Sequence, residues 1–304
     1  MTFSTESKNK EMAIGLIGVG VMGRCMLTRM QEAGYHVTAY DPFPAAQAFI
    51  TEHHAILAPT PEHVAKSANI IIMSLPAPQH VLQTVDALLP SLTENHVLAD
   101  TSTVSPQTSV DGAKRAAVMQ AKYVDAPILG RPSAAGCWLM PAGGSEEAIA
   151  RVTPPLSTCA KRVIRVGETG AGTTFKLLNQ LMFSVINGVS AEVMALTEVM
   201  GIDRKTFYDV ITDSGAATVS GLFRETAGRI VDDRYDDPTF TIELLCKDAG
   251  LGLQMAKEAG ASPLIAGFVQ NLNENAKGIG LAKKDTSSLA AMFRNYYSGI
   301  GEIQ

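Results

Sequence analysis

A glycine-rich turn near the start of the chain has the residue types and spacing of a phosphate-binding loop. The segment GVGVMG at 18–23 fits G-x-G-x-x-G and lies between an apolar run and a helical pattern. Glycines allow a tight turn and let the backbone approach a pyrophosphate, which the positive N-terminus of the next helix attracts. The alternative is an ordinary strand-to-helix turn. The residues predicted to bind a dinucleotide here are Gly18, Gly20, Val21, Met22 and Gly23.

An acidic residue follows this loop at the distance expected for recognition of a ribose. Asp41 comes 23 residues after Gly18, at the end of a second strand pattern. A carboxylate there accepts hydrogen bonds from the ribose hydroxyls of NAD and repels the 2′-phosphate of NADP. No arginine follows Asp41, so the sequence favours NAD, with NADP as the second possibility. Alternatively, Asp41 only begins the turn at Asp41-Pro42.

One lysine, Lys176, lies in an otherwise apolar or neutral stretch, where a solvated charge is unusual. Its neighbours in the sequence are Phe175, Leu177 and Leu178. A lysine that is removed from water and lies near a second cation titrates closer to neutral pH, so it can accept and return a proton. Lys247, on a different helix, is a candidate for that second cation. The alternative is a solvated lysine on a helix surface.

The elements that must position these residues alternate between strand and helix in the first half of the chain. The run NIIIMSL at 69–75 has the composition of a parallel strand that is covered on both faces. Ser105-Pro106 and Ser145 each predict the start of a helix, the first running to about Lys122. This alternation predicts a doubly wound Rossmann sheet. Its strands are expected at 12–17, 35–40, 69–75, 96–100, 123–127, 138–143 and 162–166.

The second half of the chain has only helical patterns. Residues 171–200 are rich in Ala, Leu, Met, Val and Glu and contain no proline, which predicts one long helix. We therefore expect an α/β chain with a dinucleotide-binding Rossmann domain at 1–168 and an all-helical substrate and oligomerisation domain at 169–304. The long helix joins the two domains. Further helices are expected at 204–211, 241–259 and 263–279, and a hinge at 167–172.

Composition and charge exclude several classes of function. The 304 residues have a formal net charge of −5 and no basic run, so a nucleic-acid partner is not expected. The four cysteines are far apart, as in a reduced cytoplasmic protein, and no spacing suits a metal. Residues 1–11 are polar, and no apolar run approaches the roughly 20 residues of a membrane helix. We expect a cytoplasmic protein with neither a metal nor a membrane partner.

Six short motifs span nearly the whole chain: GLIGVGVMG at 15–23, SLP at 74–76, DTSTVSP at 100–106, DAPILG at 125–130, GAGTTFKLLNQ at 170–180 and KDAGL at 247–251. In this order they resemble the β-hydroxyacid dehydrogenase family, which includes 3-hydroxyisobutyrate dehydrogenase and tartronate semialdehyde reductase. The resemblance implies a Rossmann domain followed by a helical domain, and homodimers or homotetramers that pack the helical domains together. It also implies reversible NAD(P)-linked oxidation of a small 3-hydroxy acid.

The resemblance also implies roles for individual residues. Lys176 matches the catalytic acid/base of the family, and Asn179, one turn further on, is expected to orient the substrate or the lysine. Gln180, also expected at the substrate, stands where the family often has a second asparagine. The other implied cofactor-binding residues are Leu75, Pro76, Ser102, Thr103, Lys247 and Asp248. The serine and threonine can instead bond their own backbone, and the lysine and aspartate can instead form a surface ion pair.

The chain departs from the family after Asp125. Members of the hydroxyisobutyrate type have D-x-P-V-S-G-G, whereas the last three positions here are Leu129, Gly130 and Arg131. A leucine replaces a hydroxyl donor, and the planar fork of the arginine suits a carboxylate, sulfonate or phosphate. The hypothesis is that Arg131 holds an anionic group of the substrate, similar to a Gly-Arg pair in the sulfolactaldehyde reductase branch. The alternative is a surface arginine beside a more apolar pocket. Trp138, beyond this loop, is expected in the core.

Two other functions suit the same architecture. Imine reductases share it but generally lack a lysine at the position of Lys176, so the lysine argues against that activity. The altered segment at 129–131 leaves imine reduction open. The loss of either the lysine or the glycine loop would favour a non-catalytic NAD-sensing or scaffold protein on the same fold, but both are present. The favoured function is hydride transfer between NAD(P) and a small 3-hydroxy acid.

Overall fold

The computed structural model describes residues 13–216 and 218–301, with side chains as far as residue 297. The polar segment 1–11 and Met12, the expected start of the first strand, lie outside these ranges. Contacts divide the chain into two compact units between Lys176 and Leu177. The domain boundary expected between residues 168 and 169 stays a prediction.

The first unit contains one eight-stranded, mostly parallel sheet. Its strands are β1 (Ala13–Ile17), β2 (His36–Tyr40), β3 (Ile56–Leu57), β4 (Ile70–Met73), β5 (Val97–Asp100), β6 (Lys122–Asp125), β7 (Trp138–Gly143) and β8 (Ala160–Gly167). Their spatial order is β3-β2-β1-β4-β5-β6-β7-β8, and only β6 and β7 pair antiparallel, through Asp125 and Gly143. Because the strand order reverses beside β1, ligands are expected outside the carboxyl ends of the strands there.

Helices follow most of the strands. They are α1 (Val21–Glu32), α2 (Pro44–Glu52), α3 (Pro61–Ser67), α4 (Pro78–Leu88), α5 (Pro106–Ala117) and α6 (Glu146–Leu156). Ser105 and Ser145 cap α5 and α6 as predicted, each hydroxyl accepting a backbone amide of its own first turn. The prediction that α5 runs to about Lys122 is wrong. The helix ends at Ala117 because the chain turns through Gln120, whose φ is +58°.

Two apolar clusters cover the two faces of the sheet. On β4, Ile70 and Ile72 belong to one cluster, and Ile71 and Met73 belong to the other. Successive residues therefore point to opposite faces, and both faces are covered, which is why this strand is apolar throughout. Trp138 is fully buried in the first cluster, which confirms its predicted place in the core.

The second unit consists of helices as far as it is described. The long helix α7 (Ala171–Val199) begins in the first unit and continues into the second, where a core includes Met194, Ile230 and Phe293. The parallel sheet followed by helices confirms the expected fold class. The remaining helices are α8 (Arg204–Asp213), α9 (Gly221–Val231), α10 (Ile242–Glu258), α11 (Leu264–Ala276), with a π-helical turn at Lys277–Leu281, and α12 (Leu289–Gly301).

By length and composition alone, helix α7 is long and apolar enough to span a membrane, although it contains no uninterrupted apolar run of about 20 residues. The expectation of no membrane helix rested on such runs, and α7 mixes apolar residues with small and amide side chains. Two of its polar side chains, Ser184 and Asn187, are bonded inside the second unit. Asn187 donates to the carbonyl of Thr286 at 3.0 Å and accepts from Thr226 at 3.1 Å, and Ser184 accepts from Asn273 at 2.9 Å. These are the contacts of a helix in a protein core.

Candidate active site

The glycine loop lies at the carboxyl end of β1, where the strand order reverses. Gly18 has a φ of +92°, and a Cβ there would lie 2.2 Å from the carbonyl oxygen of Ser74. A Cβ on Gly23 would lie 2.1 Å from the carbonyl oxygen of Gly18. Both positions therefore require glycine. A Cβ on Gly20, in contrast, would meet nothing within 4 Å, so the backbone there faces open space.

The first turn of α1 opens onto this space. Gly20 is the N-cap of α1 and has no side chain that could cap the first amides. Val21 is largely exposed at this point, and Met22 is half-buried. A helix N-terminus carries a partial positive charge and N–H groups without helical partners, and both suit a pyrophosphate. The loop therefore fits the dinucleotide that its sequence predicts.

Asp41 holds the glycine loop in place. It is buried after the end of β2, where Oδ2 accepts from the amide of Val19 at 2.7 Å and Oδ1 accepts from the amide of Phe43 at 2.9 Å. The second bond is that of a turn started by aspartate, so the alternative interpretation describes part of its role. A carboxylate has lone pairs for about four hydrogen bonds, which leaves about two for ribose hydroxyls.

Arg24 is a residue of this region that the sequence reasoning missed. Its guanidinium donates to the carbonyl oxygens of Val19 at 3.3 Å and Ala45 at 3.1 Å, and lies 4.7 Å from the centroid of the Phe49 ring. Arg24 comes before Asp41 in the chain, but its side chain reaches the turn after Asp41 from α1. Its signal in the sequence is a cation directly after the last glycine of the loop.

The loops after β4 and β5 are tied together at this edge of the sheet. The amide of Leu75 donates to the hydroxyl of Ser102 at 2.9 Å, and the amide of Ser102 donates to Oδ1 of Asp100 at 3.0 Å. Ser102 is therefore buried, and its hydroxyl bonds the backbone of the other loop, whereas the alternative interpretation expected a bond to its own backbone. Pro76 is exposed and Thr103 half-buried. Contact between these residues and a cofactor stays a prediction.

Trp138 fixes the backbone of the segment at 129–131. A Cβ on Gly130 would lie 2.2 Å from Cδ1 of Trp138, so the ring leaves no room for another residue. Nε1 of Trp138 donates to the carbonyl oxygen of Arg131 at 2.7 Å. Leu129 and Leu139 are joined by two backbone hydrogen bonds of 2.8 and 3.2 Å. The arginine side chain is half-buried and extends from a backbone that the tryptophan holds in place.

Lys176 lies in the second turn of α7 and is half-buried. The start of this helix is bonded to Asp125 at the carboxyl end of β6, so the lysine is close to the same edge of the sheet as the glycine loop. Its apolar sequence neighbours are not all buried. Phe175 is 48% exposed and Leu178 is 53% exposed, because they lie on other faces of the helix.

Four predicted site residues form a connected group in the second unit. Nε2 of Gln180 donates to Oδ2 of Asp248 at 2.6 Å, and Nζ of Lys247 lies 3.1 Å from Oδ1 of Asp248. Asn179 donates to the amide oxygen of Gln180 at 3.4 Å. Asp248 is buried, so the alternative of a surface ion pair is wrong for it. Gln180, expected at the substrate, is also buried and has its amide directed at the carboxylate.

Two further findings concern metals and cysteines. Within residues 13–216 and 218–301, no cluster of three or more His, Cys, Asp or Glu side chains could hold a metal ion. The four cysteines, Cys25, Cys137, Cys159 and Cys246, are free thiols.

The known proteins that are similar to this chain include dehydrogenases and reductases. Two family models match the chain: the NAD binding domain of 6-phosphogluconate dehydrogenase at 13–167, and NAD-binding of NADP-dependent 3-hydroxyisobutyrate dehydrogenase at 170–293. The 3-sulfolactaldehyde reductase of Escherichia coli is 30% identical over 93% of this chain and 96% of its own. The 2-(hydroxymethyl)glutarate dehydrogenase of Eubacterium barkeri is 28% identical over 92% and 94%. A solved 3-hydroxyisobutyrate dehydrogenase from Salmonella typhimurium has a TM-score of 0.85 and 28% identity, covering 93% and 100%.

The open space at Gly20 gives a direct test of where a dinucleotide binds. Gly20→Ala should lower thermal stability only slightly, because its Cβ meets no protein atom and the main cost is that of alanine at an N-cap. It should weaken NADH binding at least about tenfold, because the methyl group occupies the place expected for the pyrophosphate. Fluorescence titration measures the affinity.

The matched control is Gly221→Ala, at the start of α9, where a Cβ also meets nothing within 4 Å. This variant should bind NADH like the wild type. Unchanged NADH affinity in Gly20→Ala would show that the dinucleotide does not lie on this loop.

Proposed function

The chain belongs to the β-hydroxyacid dehydrogenase family, and we propose that it transfers a hydride between NAD(P) and a small 3-hydroxy acid or its semialdehyde. Family membership makes it an NAD(P)-dependent oxidoreductase of CH–OH groups. The observation that carries the proposal is the arrangement of the first unit. The glycine loop and the start of the helix that bears Lys176 both lie at the carboxyl edge of one sheet. Hydride transfer from an alcohol needs a cofactor and a proton acceptor close together.

In the proposed mechanism, Lys176 carries the proton. During oxidation, the substrate hydroxyl gives its proton to the neutral Nζ as the carbinol C–H bond breaks, which leaves a carbonyl and an ammonium. During reduction, the ammonium returns a proton to the carbonyl oxygen. The nicotinamide, when bound, accepts or supplies the hydride. One group on the chain therefore serves both directions.

The proposed cofactor site begins at the glycine loop and extends to the ends of β4 and β5. The first turn of α1 holds the pyrophosphate, and Asp41 accepts from the ribose hydroxyls with the lone pairs that the loop leaves available. This carboxylate favours NAD, while Arg24 offers a cation for the 2′-phosphate of NADP. The residues proposed to contact the cofactor are Gly18, Gly20, Val21, Met22, Gly23, Asp41, Leu75, Pro76, Ser102 and Thr103, with Lys247 and Asp248 from the second unit.

The proposed substrate carries an anionic group that Arg131 binds. A guanidinium forms paired hydrogen bonds with carboxylate or sulfonate, and the backbone of Arg131 is held by Trp138. Leu129 and Gly130 border the same segment. Two relatives support an acidic substrate by name, since one is a 3-sulfolactaldehyde reductase and the other a 2-(hydroxymethyl)glutarate dehydrogenase. Reduction of imines is less favoured, because Lys176 is the proton acceptor that oxidation of an alcohol needs.

The connected side chains of the second unit, those of Asn179, Gln180, Lys247 and Asp248, also have proposed roles. Asn179 is half-buried and is proposed to orient the substrate hydroxyl or the lysine. Gln180 is proposed to act chiefly through Asp248, because its amide is already committed to that carboxylate. Asp248 in turn holds Lys247, which is proposed to contact the cofactor.

We also propose that the chain forms homodimers or homotetramers through its helical unit. Three large apolar side chains at the start of α11 are strongly exposed, with Leu264 at 85%, Ile265 at 70% and Phe268 at 66%. Contiguous exposed apolar surface is typical of protein interfaces. The four free thiols support a cytoplasmic location for this assembly.

Removal of the proposed acid/base should strongly slow hydride transfer and should leave cofactor binding unchanged. Lys176→Ala is expected to lower kcat by about 100- to 10,000-fold in both directions, because no group then accepts or supplies the proton. Steady-state kinetics measure kcat, and fluorescence titration measures NADH affinity, which should not change. The control is Lys66→Ala, an exposed lysine on α3, with wild-type kinetics expected. Near-normal turnover of Lys176→Ala would contradict the mechanism.

The role of Arg131 predicts a selective loss with anionic substrates. Arg131→Ala should reduce kcat/KM by about 10- to 150-fold, which corresponds to roughly 1.5–3 kcal/mol for a charge-assisted hydrogen bond. A neutral ester of the same substrate should lose little. Arg162→Ala, which removes an exposed arginine of β8, is the matched control. An unchanged KM for every acidic substrate would rule out anion binding by Arg131.

A further inference from the structure

The side chain of Asp125 joins the sheet to the helix that carries Lys176. Asp125 begins the motif DAPILG, but the sequence assigns it no role. It is the last residue of β6 and is buried. Its Oδ1 accepts from the amide of Gly170 and its Oδ2 accepts from the amide of Thr173, each at 2.7 Å. These amides lie at and just before the first turn of α7. The carboxylate therefore caps α7 from a neighbouring strand, in the way that an N-cap side chain usually does.

The packing around Asp125 holds this contact at one position. A Cβ on Gly143 would lie 2.5 Å from Oδ1 of Asp125, and a Cβ on Gly172 would lie 2.4 Å from its carbonyl oxygen. The hydroxyl of Thr173 lies 3.0 Å from the hydroxyl of Ser109, and both side chains are buried. The two glycines let the helix and β7 approach the carboxylate closely. The start of α7 is thus fixed relative to β6.

Lys176 lies less than one helical turn beyond this anchor. It follows Thr173 by three residues, and an α-helix has about 3.6 residues per turn. A shift at the capped turn is therefore transmitted to the lysine backbone. A displacement of about 1 Å at a reacting group can lower a rate roughly 100-fold. The cap can thus control catalysis without touching the substrate.

We propose that Asp125 is a positioning residue, whose ionised carboxylate fixes the first turn of α7 and thereby the place of the Lys176 amine. The proposal rests on the proposed acid/base role of Lys176. Asp125 acts only through the backbone of the helix. It differs from an ordinary cap because loss of the contact changes kcat as well as stability.

The protonation of Asp125 provides a readout that a purely structural cap would not give. Burial raises the pKa of Asp125 to about 6, against the lowering effect of the two amide hydrogen bonds. As the pH falls through this value, one oxygen becomes an O–H donor that faces an N–H, so one cap bond is lost. The ionisable groups on the packed elements and on the turn before α7 include Asp100, Asp111, Tyr123, Glu147, Arg165 and Glu168.

The test is the pH dependence of kcat for aldehyde reduction. In this direction Lys176 must be protonated, so acid cannot remove activity through the lysine. The wild-type kcat should fall as the pH drops through about 6. In Asp125→Asn, the amide NH₂ faces one of the two backbone amides, as in the protonated acid. This variant should have a kcat lowered at least about tenfold, a nearly unchanged KM for the aldehyde, and no loss of kcat near that pH.

The matched control is Asp203→Asn, since Asp203 caps α8 through the amide of Thr206 at 2.7 Å and that helix carries no proposed site residue. It should keep the wild-type kcat and pH profile. Two results would overturn the proposal: a wild-type kcat in Asp125→Asn, or a lowered kcat that still falls near pH 6.

Hydrogen exchange separates this proposal from the proposed function. The amides of Gly170 and Thr173 should exchange faster in Asp125→Asn than in the wild type, whatever Lys176 does, and unchanged protection overturns the positioning role. Near-normal turnover of Lys176→Ala, in contrast, would end the proposed function and leave the exchange result standing. If Asp125→Asn does not fold, the wild type compared below and above pH 6 makes the same test, with lower protection factors expected below, after correction for the slower intrinsic exchange in acid.

Discussion

The contact between the Asp125 carboxylate and the first turn of α7 is the interaction on which the site depends most. A parallel sheet presents its strand ends at one edge, but a helix that also enters a second unit needs a fixed starting point at that edge. Two amide hydrogen bonds of 2.7 Å supply it. The burial that raises the pKa of this carboxylate also strengthens both hydrogen bonds, because water does not compete for them.

The glycine loop depends on a different constraint, which is the close approach of one backbone segment to another. Gly18 and Gly23 leave no room for a Cβ, so the loop turns sharply beside Ser74. Asp41 and Arg24 both hold Val19 of this loop, the carboxylate through the Val19 amide and the guanidinium through the Val19 carbonyl. The open side of the loop at Gly20 is the side on which we propose that the dinucleotide binds. Rigid packing behind the loop and open space in front of it are what a preformed site requires.

Features with a local cause could be predicted from the sequence, and features that arise between distant segments could not. The glycine loop, the apolar strands and the serine caps depend on neighbouring residues, so their patterns are visible in the chain. The two-residue strand β3 (Ile56–Leu57) has no pattern long enough to detect. The end of α5 depends on the left-handed turn at Gln120, which carries no glycine signal.

The same distinction holds within the site. Lys176, Asn179 and the glycine loop follow from motifs, whereas the partners of Gln180 and Asp125 lie 68 and 45–48 residues away. Only the fold brings such residues together. The apolar stretch around Lys176 also says little about the surroundings of its amine, because residues next to a lysine on a helix point to other faces.

The central claim is that the Lys176 amine accepts the proton of the substrate hydroxyl. Rescue of Lys176→Ala by added primary amines tests it most directly, through the rate of alcohol oxidation. If the claim holds, amines of similar size should restore oxidation in proportion to their concentration and more strongly as their basicity rises. If no amine restores the rate at any pH, while the variant still binds NADH, the amine is not the proton acceptor and the account is wrong.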